Sequence, residues 1–549
     1  MTRYNYQRRK SSVAKAGNVG IGGENPIRLQ SMTNTSTLDT EGSVAQAIRI
    51  AEAGGEIVRL TTQGVAEAAN MLEIRRGLEQ QGYTVPIVAD VHFNPNAAMT
   101  AAGTCHKVRI NPGNFVDAPR TFRHLDFTDE EYEAEKEKIR TALHPFIEKC
   151  RENNTCVRLG VNHGSLSDRI MSRYGDTPAG MVESVMEFLR VFREENFNNI
   201  VISIKASNTM VMMQTVRLLV SAMEAEEMNY PLHLGVTEAG DGEDGRVKSA
   251  VGIGTLLAEG IGDTIRVSLS EDPELEIPVA RKLRDYIARR SGHAPIVEPE
   301  IIKPGTSRDY ARRLHEFGNP PHPIVKNVDF SLIPESWHKA DASSTPVRYS
   351  DSEPVILSSS HINAPGEIAS WIDRFVALGA DNPVIVSLSY TTADEEELMV
   401  RAGADFGFLL ANGYASGIAL EAPSFSEEVT SRIAMGILQA VRLRISKTEY
   451  IACPSCGRTL FDLQSTLAEV RKATSHLTGL KIGVMGCIVN GPGEMADADY
   501  GYVGAGPGRV SIYRRKELIE KNIPADEALG KLLDLIEKDS SKDSKGCND

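Results

Sequence analysis

Short β-branched runs alternate with amphipathic stretches of helical period from residue 27 to about residue 290. Strands separated by a helix of about 10 to 20 residues are joined by right-handed crossovers and lie parallel in one sheet. Eight such units match the size and repeat number of a (β/α)8 TIM barrel, with an open doubly wound sheet as the alternative. The predicted strands are residues 27–32, 56–61, 85–91, 106–110, 156–161, 200–206, 232–237 and 264–270.

Changes in composition divide the remaining sequence. We predict a substrate-binding barrel domain, an inserted α/β scaffold domain that opens with a Pro-rich linker, a C-terminal α/β module, and a polar, disordered tail. The predicted bounds are 1–292, 293–445, 446–538 and 539–549.

The inserted domain is expected to be a partial copy of the barrel. Its residues 384–390 loosely repeat the apolar pattern of residues 200–207, and repetition of this kind indicates related architecture. Within it we predict a helix over 394–402 followed by a strand over 406–410. Because the domain carries no comparable cluster of ionisable residues, a scaffold role is favoured.

Polar and charged residues stand near the carboxyl ends of the predicted barrel strands. TIM-barrel active sites gather at that face because the βα loops converge there. The cationic members would repel one another unless an anion lay between them, and Arg and Lys are the usual phosphate-binding side chains. The pattern therefore predicts a phosphorylated ligand. The residues are Arg59, His92, Arg109, Arg158, Lys205, Glu238 and Ser268.

Single residues in this set allow two interpretations. His92 is either a ligand contact or a structural histidine with a satisfied hydrogen bond. Asn162 is either part of the site or an ordinary turn residue. Glu238 is either a group that handles protons, if its pKa is raised, or a counter-ion for the neighbouring Arg and Lys side chains.

Three cysteines in the C-terminal module indicate a metal or redox site. Cys453 and Cys456 form a Cys-X-X-Cys motif, and Cys487 follows within a glycine-rich segment. This arrangement suits zinc, with His476 as a fourth ligand, or an iron–sulfur cluster, or a redox disulfide. Glu494, across two flexible glycines, is the nearest oxygen donor that would complete a three-thiolate site.

Composition limits the classes of function. A formal net charge of −14 argues against a general nucleic-acid-binding protein. No apolar run approaches the roughly 20 residues needed to span a bilayer, and no signal-like segment stands at the N-terminus, so a cytoplasmic location is expected. The seven cysteines are an odd number and are thinly spread except for the three in the C-terminal module, so they do not suggest a disulfide framework.

Several long motifs, in order, resemble the 4-hydroxy-3-methylbut-2-enyl diphosphate synthase family of the non-mevalonate isoprenoid pathway. The resemblance covers the barrel and the cysteine module. The motifs are Gln-Ser-Met-Thr at 30–33, Val-Ala-Asp-Val-His-Phe at 88–93, Arg-Ile-Asn-Pro-Gly-Asn at 109–114, Leu-His-Leu-Gly-Val-Thr-Glu-Ala-Gly at 232–240, Cys-Pro-Ser-Cys-Gly-Arg at 453–458 and Gly-Cys-Ile-Val-Asn-Gly-Pro-Gly-Glu at 486–494.

The resemblance implies an oxidoreductase that opens the ring of 2-C-methyl-D-erythritol 2,4-cyclodiphosphate by a two-electron reduction and loss of water. It implies a [4Fe-4S] cluster on Cys453, Cys456, Cys487 and Glu494, and flavodoxin or ferredoxin as the electron donor. Glu238 would be an acid or hydroxyl anchor. The implied diphosphate site consists of Arg59, His92, Arg109, Arg158, Asn162, Lys205 and Ser268.

The inserted domain departs from the shorter members of this family, in which the cluster module of one subunit caps the barrel of its dimer partner. Its extra length would let a module reach the barrel of its own chain, and we expect a homodimer whose active sites each form within one chain. Two other classes stay open at this stage: a zinc-stabilised barrel phosphatase or aldolase, and a non-catalytic sensor of a phosphorylated ligand.

Overall fold

The computed structural model describes residues 4–117, 127–299, 323–326, 334–487, 493, 495 and 497–546. The chain divides into two compact units. The larger unit comprises Lys10–Gly242, Asp263–Pro278 and Lys447–Asp549, and the smaller comprises Met1–Arg9, Glu243–Gly262 and Val279–Ser446. The predicted domain boundaries, which follow the sequence order, stay predictions.

The larger unit begins with a hairpin of β1 (Ala14–Ala16) and β2 (Val19–Ile21). The apolar side chains of this hairpin pack against Ile57, Val88 and Val201, which lie at or near the first residues of three barrel strands. The hairpin therefore covers the amino ends of the barrel strands and leaves the carboxyl ends available for a site.

Eight parallel strands follow, and they confirm the predicted TIM barrel. Their order in the sheet is β8-β7-β6-β5-β4-β3-β10-β9, and a parallel bridge from Ile202 to Leu232 joins the two ends. The strands are β3 (Arg28–Met32), β4 (Ile57–Thr62), β5 (Ile87–Val91), β6 (Lys107–Ile110), β7 (Cys156–Asn162), β8 (Ile200–Lys205), β9 (His233–Leu234) and β10 (Thr264–Ile265).

The helices between these strands begin at residues typical of N-caps. The side chains of Asp39, Asn94, Ser167 and Asn208 each accept a hydrogen bond from a backbone N–H of the first helical turn. The helices are α1 (Thr40–Glu52), α2 (Val65–Gln80), α3 (Pro95–Thr104), α4 (Pro112–Phe115), α5 (Asp129–Glu152), α6 (Asp168–Tyr174), α7 (Pro178–Glu194) and α8 (Thr209–Ala225).

The last two barrel strands are shorter than predicted. Residues 235–237 and 266–270 leave the regular ladder, although backbone hydrogen bonds continue from Arg266 N–H to Leu234 and from Ser270 N–H to Gly240. Gly235 lies so close to Lys205 that a Cβ at this position would stand 2.9 Å from the Lys205 Nζ. The apolar pattern did not reveal this change because the residues involved are all buried.

The smaller unit contains an open sheet of five parallel strands in the order β11-β15-β14-β13-β12. This sheet agrees with the predicted α/β insert. Its strands are β11 (Pro323–Lys326), β12 (His338–Asp341), β13 (Val355–Ser358), β14 (Val384–Ser389) and β15 (Gly417–Glu421), and the helices of the unit are α9 (Gly242–Ala258), α10 (Glu276–Ala288), α11 (Ala364–Ala377), α12 (Glu395–Ala411) and α13 (Glu427–Ala440).

The predicted strand over residues 406–410 is wrong, because these residues form the last turns of α12. Nearly all of α12 beyond its first turn is buried, so its sequence is mostly apolar around the helix and lacks the amphipathic period of a surface helix. Close packing explains the burial: a Cβ on Gly254 of α9 would stand only 2.7 Å from the Cβ of Ala404.

The C-terminal module belongs to the larger unit and has a mixed sheet in the order β16-β17-β18-β19-β20. The predicted disordered tail begins inside its last helix, where the carboxylate of Asp539 accepts hydrogen bonds from Arg514. The elements are β16 (Glu449–Ala452), α14 (Leu463–Thr474), β17 (Lys481–Met485), β18 (Tyr500–Gly506), β19 (Arg509–Arg514), β20 (Glu517–Pro524) and α15 (Ala525–Gly546).

Among the described residues, no helix has the length and apolar character required to cross a membrane.

A buried ion pair supports the smaller unit and provides a test of its stability. The Asp405 carboxylate accepts hydrogen bonds from Arg290, Tyr286 and Tyr390, and Arg290 is 1% exposed. We expect Asp405→Asn to lower the free energy of unfolding by about 3–5 kcal/mol, because the guanidinium loses its buried counter-charge. Tyr286→Phe, the control, should cost about 1 kcal/mol. Urea unfolding that gives equal values for the two variants would contradict this account.

Candidate active site

A cavity lies where the carboxyl ends of the barrel strands meet residues 453–459 of the C-terminal module. These residues form the cysteine loop. Both walls of the cavity belong to the larger unit. All eight barrel residues selected from the sequence line it: Arg59 in β4, His92 after β5, Arg109 in β6, Arg158 and Asn162 in β7, Lys205 in β8, and Glu238 and Ser268 after β9 and β10.

The three cysteines line the same cavity from the opposite side. Glu494, the predicted oxygen ligand, lies outside the described residues. The structure therefore brings the eight barrel residues and the three cysteines together, although they come from separate barrel strands and a module at the other end of the sequence. His476, the fourth ligand of the zinc alternative, does not line this cavity.

Asp90, which the sequence analysis did not select, lies at the centre of the cationic cluster. The carboxylate oxygens of Asp90 lie 3.5 Å from the Arg158 Nη2, 3.6 Å from the Arg109 Nη1 and 4.0 Å from the Arg59 Nε. Burial by itself would raise the pKa of Asp90, but Arg59 and Arg109 hold that pKa well below its usual value. Asp90 is therefore a buried anion shared by several cations.

Asp90 and Glu238, the two carboxylates that line the cavity, do not balance its six arginine and lysine side chains. Burial, followed by repulsion from Arg59, lowers the pKa values of Arg158 and Lys205 well below their ordinary values. Burial also lowers the pKa of Arg59 to about 10. A depressed pKa in a cation means that its charged form is destabilised by its surroundings. The cavity is therefore suited to an anion.

Arg158 has buried donors that point to the same conclusion. Its side chain is 1% exposed, and its Nε and Nη1 atoms have no hydrogen-bond partner within the part of the chain that the structure describes. Unsatisfied buried guanidinium donors are costly, so a ligand with several oxygen acceptors would stabilise this arrangement.

His92 contacts both Asp90 and Arg109. The Nε2 of His92 is 3.4 Å from Asp90, and the His92 ring nitrogens contact the Arg109 guanidinium. Burial and then Arg109 lower the pKa of His92 to about 3, so its ring is neutral at physiological pH. His92 therefore serves as a hydrogen-bonding group and adds no charge to the cavity.

Glu238 is held in an unusual backbone conformation. Its φ is +52°, a left-handed value that is rare for residues other than glycine, and its side chain is buried. The Thr237 hydroxyl donates a hydrogen bond of 3.0 Å to the Glu238 Oε1. Strained residues of this kind cluster at functional sites, because the surrounding structure must stabilise them. Glu238 lines the cavity together with the cationic side chains and the cysteines.

Hydrogen bonds to sulfur order the cysteine loop. The Gly486 N–H donates to the Cys453 Sγ at 3.2 Å, and the Arg458 Nε donates to the Cys456 Sγ at 3.4 Å. Burial by itself would raise the pKa of Cys456, but Arg458 lowers it. Among the described residues, no three His, Cys, Asp or Glu side chains converge on a point suited to a single metal ion.

Arg266 and Arg458 also line the cavity without having been selected from the sequence. Arg266 donates to both oxygens of the Glu276 carboxylate at 2.9 and 2.8 Å, so its charge is paired within the barrel. A signal was available for Asp90 and Arg266: each stands two residues before a selected residue, and side chains at i and i+2 on an extended chain share a face.

The cysteine loop packs directly on the barrel of its own chain. The Ser270 hydroxyl donates to the Cys453 carbonyl at 2.9 Å, and Ala239 forms a parallel bridge with Ala452. Gly457 lies against the loop after β3, because a Cβ there would stand only 2.5 Å from the Thr35 carbonyl oxygen. Contacts this close require glycine at position 457.

The fold and the site together define a TIM-barrel protein whose basic face is covered by a module with three cysteines. The description "GcpE TIM-barrel domain" matches residues 11–281, and "GcpE protein C-terminal domain" matches residues 449–538. These two matches agree with the barrel and the cysteine module seen in the structure.

Relatives that match this chain over nearly its whole length carry the same name. The chain is 53% identical to the 4-hydroxy-3-methylbut-2-en-1-yl diphosphate synthase (flavodoxin) of Parabacteroides distasonis, covering 98% of this chain and 99% of that protein. It is 39% identical to the protein of the same name from Leptospira interrogans, with 97% of each chain covered. The chain belongs to the 4-hydroxy-3-methylbut-2-en-1-yl diphosphate synthase family.

The depressed pKa of Lys205 predicts proton uptake when an anion binds. A bound anion raises this pKa, so the contribution of Lys205 to affinity is complete below the free-state pKa and is lost as pH rises through the bound-state pKa. Dimethyl diphosphate is a suitable probe, because the charge of this diester is constant near neutral pH. Calorimetry should show its Kd rising by up to about tenfold per pH unit within that window.

Lys205→Gln should abolish both the proton uptake and this pH dependence. Lys15→Gln, which changes an exposed lysine on the hairpin at the amino ends of the strands, is the matched control and should behave as the wild type. Equal proton uptake in wild type and Lys205→Gln would show that another group titrates.

Proposed function

We propose that this cavity is the active site of an iron–sulfur oxidoreductase with the activity named for its relatives. The enzyme converts 2-C-methyl-D-erythritol 2,4-cyclodiphosphate to 4-hydroxy-3-methylbut-2-enyl diphosphate, with flavodoxin as the electron donor. Two electrons and two protons are consumed, one C–O bond of the ring is broken, and one water molecule is released. The observation that carries the proposal is that the cationic cluster and the three cysteines face one cavity.

The barrel residues bind and orient the diphosphate. Arg59, Arg109, Arg158 and Lys205 supply positive charge from four different strands, and the unsatisfied Arg158 donors are available for phosphate oxygens. Asn162, Ser268 and neutral His92 supply hydrogen-bonding groups without adding charge. Fixing both phosphates on the rigid barrel directs the carbon skeleton toward the cysteine side of the cavity.

Glu238 is assigned the role of proton donor. Loss of water requires a proton on the departing oxygen, and a buried carboxyl group between the diphosphate site and the cysteines is placed to provide it. The strained backbone at Glu238 and the hydrogen bond from Thr237 restrict the orientation of the carboxyl group. Closure by the cysteine loop keeps bulk water from competing for this proton.

Cys453, Cys456 and Cys487 would hold a [4Fe-4S] cluster, with Glu494 as the fourth ligand. The donors fit such a group, because the three cysteine side chains line one cavity and the Gly486 N–H donates to the Cys453 Sγ at 3.2 Å. Cysteine thiolates are the usual ligands of these clusters, and hydrogen bonds to their sulfur atoms tune the cluster. The cluster, when bound, supplies electrons one at a time.

We further propose that each active site forms within one chain. The support is the seating of the cysteine loop on the barrel of the same chain, through Ser270 and the close approach of Gly457 to Thr35. The homodimer and the cytoplasmic location expected from the sequence stay predictions.

Spectroscopy of protein purified without oxygen tests the cofactor. The wild type should show a broad visible absorption that bleaches on reduction, together with iron and acid-labile sulfide. Cys487→Ala should lose all three properties, because a thiolate ligand is removed, whereas Cys547→Ala, outside the motif, should keep them. Glu494→Ala should retain colour but turn over the cyclodiphosphate with reduced flavodoxin at least about tenfold more slowly. A colourless wild type that cannot be reconstituted would refute the proposal.

Mixed expression tests assembly within one chain. An Arg109→Met chain lacks part of the diphosphate site, and a Cys487→Ala chain lacks a cluster ligand, so neither should be active alone. Co-expression of the two should give no activity, because each site needs both parts from one chain. In the control, each variant is co-expressed with the wild type. The activity should then be proportional to the fraction of wild-type chains. Restored activity in the mixture of variants would demonstrate sites shared between chains.

A further inference from the structure

Arg458 contacts both the cysteine loop and the barrel. Its Nε donates to the Cys456 Sγ at 3.4 Å, and its Nη2 lies 3.8 Å from the Asp90 Oδ2. The Arg458 side chain is 8% exposed. A single buried guanidinium thus connects a sulfur of one module to a carboxylate of the other, and the planar fork of arginine is suited to two such contacts.

Asp90 is the residue through which Arg458 reaches the anion site. Its carboxylate is already shared by Arg59, Arg109 and Arg158, the cations assigned to the diphosphate. A diphosphate that enters this cluster meets a like charge on Asp90, buried at a depth where water screens little. A fourth guanidinium beside Asp90 offsets that repulsion.

Arg458 reaches Asp90 only while the module is seated on the barrel. The residue before it, Gly457, packs against the Thr35 carbonyl, and the residue after it, Thr459, accepts a hydrogen bond from the Cys456 N–H at 3.0 Å. These contacts fix both sides of Arg458 in the loop. Movement of the loop away from the barrel would therefore carry the Arg458 charge out of the cavity.

We propose that Arg458 is a positioning residue that couples anion binding in the barrel to seating of the cysteine module. The anion binds more tightly when Arg458 neutralises Asp90, and by linkage a bound anion favours the seated module by the same factor. The inference rests on the proposed function in one respect: the cavity is taken as the diphosphate site. Arg458 acts through Asp90 and is assigned no contact with the reacting atoms.

A second ion pair between the same two modules provides a matched control. Arg471 in α14 pairs with Asp241 of the barrel, and both side chains are about one-third exposed at 35% and 33%. An exposed pair contributes little, and Arg471 does not line the cavity. Its removal takes away a contact between the same two modules without changing the charge beside Asp90.

The test measures inorganic pyrophosphate binding to the full-length holoenzyme by calorimetry, and amide hydrogen exchange of the cysteine loop with and without pyrophosphate. In the wild type, pyrophosphate should bind and slow exchange in the loop. In Arg458→Met the Kd should rise by about tenfold, within the usual range for coupled sites, and the slowing should disappear. Arg471→Met should keep both the affinity and the response.

Two further variants identify the route of the effect. Arg458→Lys keeps the positive charge but loses the planar guanidinium, so it should retain part of the affinity for pyrophosphate. It also replaces Arg458→Met in the test if that variant does not assemble. In an Asp90→Asn background, Arg458→Met should change the Kd less than about threefold, because the charge it offsets is gone.

The outcomes separate the inference from the function on which it rests. Wild-type affinity and wild-type exchange in both Arg458 variants would overturn the inference, and so would equal losses in Arg458→Met and Arg471→Met. A full tenfold effect that persists in Asp90→Asn would overturn the route through Asp90. Absence of pyrophosphate binding to the wild type would instead remove the diphosphate site of the proposed function.

Discussion

The buried carboxylate of Asp90 makes the cationic cluster possible. Three barrel guanidinium groups and one from the cysteine loop lie within 4.0 Å of it, and their mutual repulsion in a buried cavity would otherwise oppose folding. One anion among four guanidinium groups offsets part of this repulsion and leaves an excess of positive charge. The same excess suits the diphosphate proposed to bind there, so the stability of the cluster and its proposed ligand binding depend on one balance of charge.

The barrel provides the geometry that this balance needs. Parallel strands end at one face, so short side chains and long cations from distant parts of the sequence converge on a small volume. The hairpin of β1 and β2 covers the opposite end, where it packs on apolar residues. The cysteine module then covers the basic face through close backbone contacts at glycine, which is why the cysteines and the cationic side chains line the same cavity.

Much of the site was predictable from residue type and position. Cations at strand ends indicated an anion, and three cysteines indicated a metal or redox centre. The residues that escaped prediction were those whose role depends on a partner. Asp90 looks like an ordinary strand acid until the arginines of three neighbouring strands are placed around it. The incorrect prediction of a strand at residues 406–410 also arose because tertiary packing is not visible in the sequence. Burial around most of α12 removes the amphipathic period that would have indicated a helix.

By itself, the sequence determined the repeat of strands and helices, the positions of the cations and cysteines, and membership in a family with long ordered motifs. These properties are local, since they depend on spacing along the chain. Only the tertiary structure decided which acid balances the cations and that Arg458 reaches that acid from the cysteine loop. Electrostatic pairing depends on distances between residues far apart in sequence and on their burial, and neither quantity exists until the chain has folded.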